Sequence, residues 1–139
     1  MFERLNHIEL SGRSYPIRCD ILVLEKIQEA YGNLDFFESK LMTWEPELDE
    51  EGNKIREENG DIKYRGKLPD AKALNDALYW MASEGEAVAA EEEDRKPEVI
   101  TREGIARKSD LTPMELANQL HDEFYHCFKS KNGKTTQEK

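Results

Sequence analysis

His121, His126 and Cys127 stand close together in the last apolar stretch, and they are the residues best suited to metal or thiol chemistry. Two ligands on one helix need to lie three or four residues apart to share a side. His121 and His126 are five apart and point different ways. Cys127 belongs to an apolar stripe, where a thiol packs as a small hydrophobe. Core or surface roles are expected for all three. Asp49 to Asn53 superficially resembles a calcium loop, but it lacks the alternating oxygen ligands and the terminal bidentate glutamate. A turn is expected there. Glu91, Glu92, Glu93 and Asp94 concentrate carboxylates, yet adjacent helical positions diverge and nothing nearby supplies a pocket for acid–base work. This run reads as a solvated helix end, with a docking patch for a basic partner as its functional alternative. Trp44 and Trp80 read as core residues by default. The alternative for either is an interface anchor, because tryptophan is enriched at binding hot spots. The chain has no phosphate-binding glycine loop, nucleophile elbow or zinc knuckle. No catalytic residue, metal or cofactor is expected.

The elements that must position these residues can be read in order. Ile8 and Leu10, then Tyr15 and Ile17, alternate across Ser11-Gly12-Arg13, which predicts a β-hairpin over 6–18. Pro16 cannot donate to a ladder, so its strand should be an edge. Asp20 is an N-cap candidate for a helix with Ile21, Leu24, Ile27, Gln28 and Tyr31 on one face, widened by Val23 and Ala30, and Gly32 at its C-terminal end. Asn33 can cap a second, shorter helix carrying Leu34, Phe36, Phe37 and Leu41. The hairpin and both helices, over 6–43, are expected to form one unit.

Residues 45–67 contain eight acidic and five basic residues among few apolar ones. Turn signals at Glu51-Gly52-Asn53 and Asn59-Gly60-Asp61 separate short segments around Leu48, Ile55, Ile62 and Tyr64. Asn-Gly favours a type I′ turn, so a charged β-arm is expected, marginal alone and settling on a neighbour. Asp70 then caps a central helix over 70–92. Leu74, Ala77, Leu78, Met81, Ala82 and Val88 form its apolar face, and Ala73 and Trp80 extend that face sideways. Leu74, Leu78 and Met81 should hold the hairpin and the last helix. Ala73, Ala77 and Trp80 should meet either the remaining core or a neighbouring subunit. Thr101 can cap a short turn with Ile105 and Ala106. Thr112, Pro113 and Glu115 make a capping box for a last helix over 112–130, with Met114, Ala117, Leu120, Phe124, Cys127 and Phe128 on one face. Residues 131–139 read as a basic, disordered tail. The expected fold is therefore α+β and mainly helical, a single domain over 1–130: an N-terminal hairpin, a small helical bundle and a charged arm.

Composition narrows the function. The chain has 139 residues, 20 Lys+Arg and 30 Asp+Glu, and a net charge of −10. That balance disfavours binding to nucleic acid and to anionic membranes. It suits a basic or apolar protein partner. Cys19 and Cys127 form no disulfide framework, and the N-terminus MFERLNHIEL has no apolar core of a signal peptide, so reduced thiols in a cytosolic protein are expected.

The stretch IELSGRSYPIRCDILVLEKIQEAYGNLDFFESKL resembles the tail assembly chaperones of long-tailed bacteriophages and prophages, particularly those of Gram-positive hosts. The stretch ALYWMASEGEAVAAEEEDRKPEVITREGIARKSDLTPMELANQLHDEFYHCF is similar to the second half of such proteins. The resemblance implies a non-enzymatic factor that coats the tape-measure protein, recruits tail-tube subunits and leaves before the virion is complete. It implies the bacterial host's cytoplasm as location, and self-association into a spiral or ring. The family has no shared catalytic residues to carry over. Trp44, Ile55, Tyr64, Trp80, Glu91, Glu92 and Glu93 are the candidate protein-interaction residues. The alternative reading is an acidic phage-encoded inhibitor or DNA mimic that binds a host protein.

Overall fold

A computed structural model describes residues 5–128. The fold is α+β and mainly helical. Strands β1 (Asn6–Leu10) and β2 (Arg13–Ile17) pair antiparallel, with Ile8 opposite Tyr15 and Leu10 opposite Arg13. Ser11 and Gly12 both have positive φ, as a two-residue I′ turn requires. In a two-stranded sheet each strand is an edge, so Pro16 is accommodated in β2 opposite His7.

Helices α1 (Ile21–Tyr31) and α2 (Leu34–Leu41) follow. Asp20 accepts from the backbone of Leu22 and Val23, and Asn33 accepts from Phe36 at 2.7 Å. The inward face of α1 differs from the expected one. Val23 and Ile27 are buried, Leu24 and Tyr31 are half-buried, and Ile21, Gln28 and Ala30 face out. α1 meets α2 and α3 along the Val23–Ile27 line, which leaves its first residue without a neighbour to cover it. Phe37 is fully buried and stacks edge-on with Tyr31 and with Phe124. Each such pair contributes ~0.5–1.5 kcal/mol beyond burial.

Strands β3 (Trp44–Pro46) and β4 (Tyr64–Gly66) form the root of the arm. The central helix α3 (Ala71–Glu92) starts at Asp70, whose carboxylate accepts from Ala73 at 3.0 Å. It ends in a Schellman motif: Arg95 N–H bonds Ala90 O and Asp94 N–H bonds Glu91 O, with Asp94 in the left-handed region usually left to glycine. Ala73, Leu74, Ala77, Leu78, Met81 and Ala82 are all buried within one chain, so the neighbouring-subunit alternative does not apply to Ala73 and Ala77. Trp80 is half-buried against the core.

The hairpin does not rest mainly on α1 and α2. β2 lies along α3, where Arg18 N–H donates to Met81 O at 3.0 Å. They come close together at Gly85, where a Cβ would stand 2.2 Å from Pro16 O. Helix α4 (Arg102–Lys108) packs on α3 and seats Ile105 in the core. Helix α5 (Pro113–His126) begins with the full capping box: Thr112 Oγ1 accepts from Glu115 N–H, and Glu115 accepts from Thr112 N–H. It stops at His126, short of the expected end. Leu116, Ala117, Leu120 and Phe124 fill the core, whereas Met114 is half-buried and Phe128 lies past the helix end, exposed. The tail expected at 131–139 lies outside the described residues.

Candidate protein-interaction surface

Three carboxylates are buried, and each is engaged by its own fold. Asp76 of α3 accepts from Tyr31 Oη at 2.7 Å, from Lys72 Nζ at 2.9 Å and from Arg102. Burial pushes its carboxyl up, but these three donors outweigh it and hold it below the usual carboxylate range. Glu86 accepts from both terminal nitrogens of Arg95 at 2.6 and 3.3 Å and from Glu98 N–H at 2.8 Å, which folds the segment after α3 back onto it. Glu123 of α5 accepts from Asn6 at 2.6 Å and from Cys19 N–H at 2.9 Å, joining both ends of the hairpin to the last helix. Such groups tie segments distant in sequence, and their lone pairs are committed. Reading the sequence did not find them, because a single Asp or Glu on a helix has no local mark of burial.

Cys19, Cys127 and His121 also serve the fold. Burial raises the thiols of Cys19 and Cys127 above their ordinary range. A thiol kept protonated in this way is a poor nucleophile. His121 Nε2 lies 2.8 Å from Glu38 Oε2. Among the described residues no cluster of His, Cys, Asp or Glu is arranged to hold a metal ion. A cavity of about 230 Å³ lies between β2 and α4, with Tyr15 and Ile105 in its lining. Its Arg13 and Glu98 pair with each other at 2.6 Å, and its Thr101 hydroxyl caps α4.

One carboxyl on α3 is poised to titrate. Burial, then a hydrogen bond shared with Asp20, push Glu84 up to about 7. The folded chain therefore binds a proton that the unfolded chain releases. This stabilisation is complete below the unfolded value, about 4.3, and is lost as pH rises through about 7. Glu84→Gln keeps a neutral donor beside Asp20. It is expected to raise the unfolding midpoint at pH 8 and to leave it unchanged at pH 5. An equal shift at both pH values in thermal melts would refute this assignment.

The arm has the most distinctive geometry. Its root is fixed by Lys67 N–H to Thr43 O at 2.8 Å, by Asp70 N–H to Lys40 O at 2.9 Å, and by the buried Thr43 and Pro69. Beyond β3 and β4 the chain makes two further hairpins, bridged at Leu48–Lys54 and Arg56–Ile62. All three ladders meet in a closed ring of backbone bonds. Glu47 N–H donates to Lys63 O at 2.8 Å, Lys63 N–H to Ile55 O at 2.8 Å, and Ile55 N–H to Glu47 O at 3.0 Å. The two tips are equivalent turns eight residues apart. Gly52 N–H bonds Asp49 O and Gly60 N–H bonds Glu57 O, with positive φ at both glycines. Asn59 is not among the positive-φ residues, so its turn is type I closed by a left-handed Gly60 and not the expected type I′. Asp49 Oδ1 accepts from Glu51 and Asn53 N–H, which makes the calcium-like segment a turn.

Strand alternation puts Trp44, Pro46 and Tyr64 on one face of the root and Glu45 and Arg65 on the other, where they pair at 2.7 Å. Trp44 is 58% exposed and Tyr64 is 55% exposed. Ile55 is half-buried at the three-way junction. The structure thus unites Trp44 and Tyr64 and separates them from the other candidates. Trp80 packs towards the core from α3. Glu91 and Glu92 are exposed at the far end of α3, ~30 Å from the arm's root at 1.5 Å per residue. Glu93, beside them, pairs with Arg95 at 2.6 Å.

Comparison of the chain with protein-family models, with curated proteins and with solved structures gives no match. No helix among the described residues is long and apolar enough to cross a membrane.

Proposed function

We propose that this chain is a non-enzymatic protein-binding factor, a tail assembly chaperone of a long-tailed phage or prophage. It would coat the tape-measure protein in the host cytoplasm, recruit tail-tube subunits and be absent from the finished virion. The observation that carries the protein-binding part is the arm: a root anchored to the body that presents Trp44 and Tyr64 to solvent. Aromatic side chains displayed on a positioned element are typical binding anchors. The engagement of Asp76, Glu86 and Glu123 in the fold supports the non-enzymatic part, since a general acid or base needs a free position beside substrate. The phage assignment rests on the sequence resemblance over 6–130.

Co-expression with a long helical tape-measure protein tests the proposal. The two are expected to co-purify, and the long protein to stay soluble only in this chain's presence. A strict monomer by light scattering at high concentration, with no co-purification, overturns it.

A further inference from the structure

We infer that the Trp44–Tyr64 face of the arm docks a basic, amphipathic segment of another protein. The inference rests on the protein-binding reading above and names the surface and its partner's chemistry. Leu48 and Leu68, close to the two strands, are 54% and 78% exposed, so the root presents aromatic and aliphatic surface together. This apolar surface is not that of a frayed loop. The backbone ring at Glu47, Ile55 and Lys63 and the bonds at Thr43 and Lys40 hold it in place. Its opposite face is covered by the Glu45–Arg65 and Glu47–Lys63 pairs, which gives the arm one polar and one apolar side.

Charge selects the occupant. The two tips beyond the apolar root carry Asp49, Glu50, Glu51, Glu57, Glu58 and Asp61 against only Lys54 and Arg56, so they remain acidic on balance. A second copy seated face to face would bring two such sets together on chains that each carry −10. Like charges so juxtaposed oppose association. Nucleic acid and anionic lipid are repelled for the same reason. A segment with apolar residues on one side and lysine or arginine flanking them satisfies both parts of the surface.

The probe is an 18-residue labelled peptide of leucine and lysine in amphipathic helical pattern, with its leucine–glutamate counterpart as control. Anisotropy is measured against the full chain at low salt. The lysine peptide is expected to bind and the glutamate peptide not. Trp44→Ala/Tyr64→Ala should weaken binding roughly tenfold or more, as loss of a hot spot does. Glu50→Lys/Glu58→Lys, at the solvent-exposed tips, should weaken it at least about fivefold. Glu25→Lys/Glu29→Lys makes the same change in net charge on the exposed side of α1 and should change binding less than about twofold. Equal losses in the two charge variants would reduce the effect to net charge and overturn the inference. So would no binding of the lysine peptide, or an arm variant that abolishes self-association and leaves peptide binding intact. The two readings fail separately. Co-purification untouched by Trp44→Ala/Tyr64→Ala sinks the arm alone. Peptide binding of the stated pattern without co-purification sinks the tail-assembly reading alone.

Discussion

Gly85→Ala is expected to destabilise the fold, although helix propensity by itself argues the opposite. In an exposed helix interior, alanine gains about 1 kcal/mol over glycine. Here the new methyl would stand 2.2 Å from Pro16 O, 2.4 Å from Pro16 C and 2.6 Å from Ile17 N. All three are backbone atoms, so no rotamer change relieves the contact. β2 would have to lift from α3, stretching the bond from Arg18 N–H to Met81 O and loosening Tyr15 and Ile17 in the core. Overpacking of this kind costs typically ~1–3 kcal/mol, and more where backbone must move. Less the ~1 kcal/mol that alanine gains in the helix, the clash leaves a net loss of about 1–2 kcal/mol and a midpoint lower by roughly 3–8 °C. Ser83→Ala, two residues away on the same helix, should stay within ~0.5 kcal/mol. Thermal melts of the two variants decide the matter: a Gly85→Ala protein as stable as its parent would mean that the hairpin does not sit on α3 as described.

Asp76→Ala is the second large effect. The substitution strands Tyr31 Oη and the Arg102 guanidinium, groups donated from α1 and α4 to a carboxylate with only 3% of its side chain exposed. Removing one partner of a buried pair typically costs ~3–5 kcal/mol. Arg102 keeps about a third of its side chain in water, which lets it recover some solvation. A loss of about 2–4 kcal/mol is expected. The same site should govern acid sensitivity. Asp76 titrates below its unfolded value, so its contribution is present above about pH 3.9 and is lost as pH falls through the lower folded value. The variant should therefore lose less stability than its parent between pH 5 and pH 2. Adding Arg102→Ala should cost less than the two single changes summed, because the partner is already gone. Strict additivity in denaturant unfolding would show that the pair is not coupled.

Legibility followed range. Asp20, Asn33, Asp70, Thr101 and Thr112 could be read as caps because a cap is a bond to an N–H two or three residues away. The Ser11-Gly12 turn was legible for the same reason. Ile21 was misread because periodicity marks an apolar stripe without saying where along it the neighbours lie. Asn59-Gly60 differs from its expectation because the dipeptide only favours a type I′ turn, whereas in the fold Gly60 alone enters the left-handed region. For the candidate surface, aromatic type pointed to Trp44, Tyr64 and Trp80 alike. Only their positions separate a displayed pair from a residue turned to the core.

The sequence by itself determined where the helices begin, that a hairpin precedes them and that a charged insert interrupts them, since these follow from contacts between near neighbours. Tertiary structure alone decided that Gly85 is the seat of the hairpin, that Asp76, Glu86 and Glu123 are buried ties, and that the insert closes into a ring at Glu47, Ile55 and Lys63. Each of these depends on a partner between 8 and 117 residues away, as with Ile55 on Glu47 and Asn6 on Glu123. No local preference encodes a partner at that distance. It is set when the packed elements arrive together.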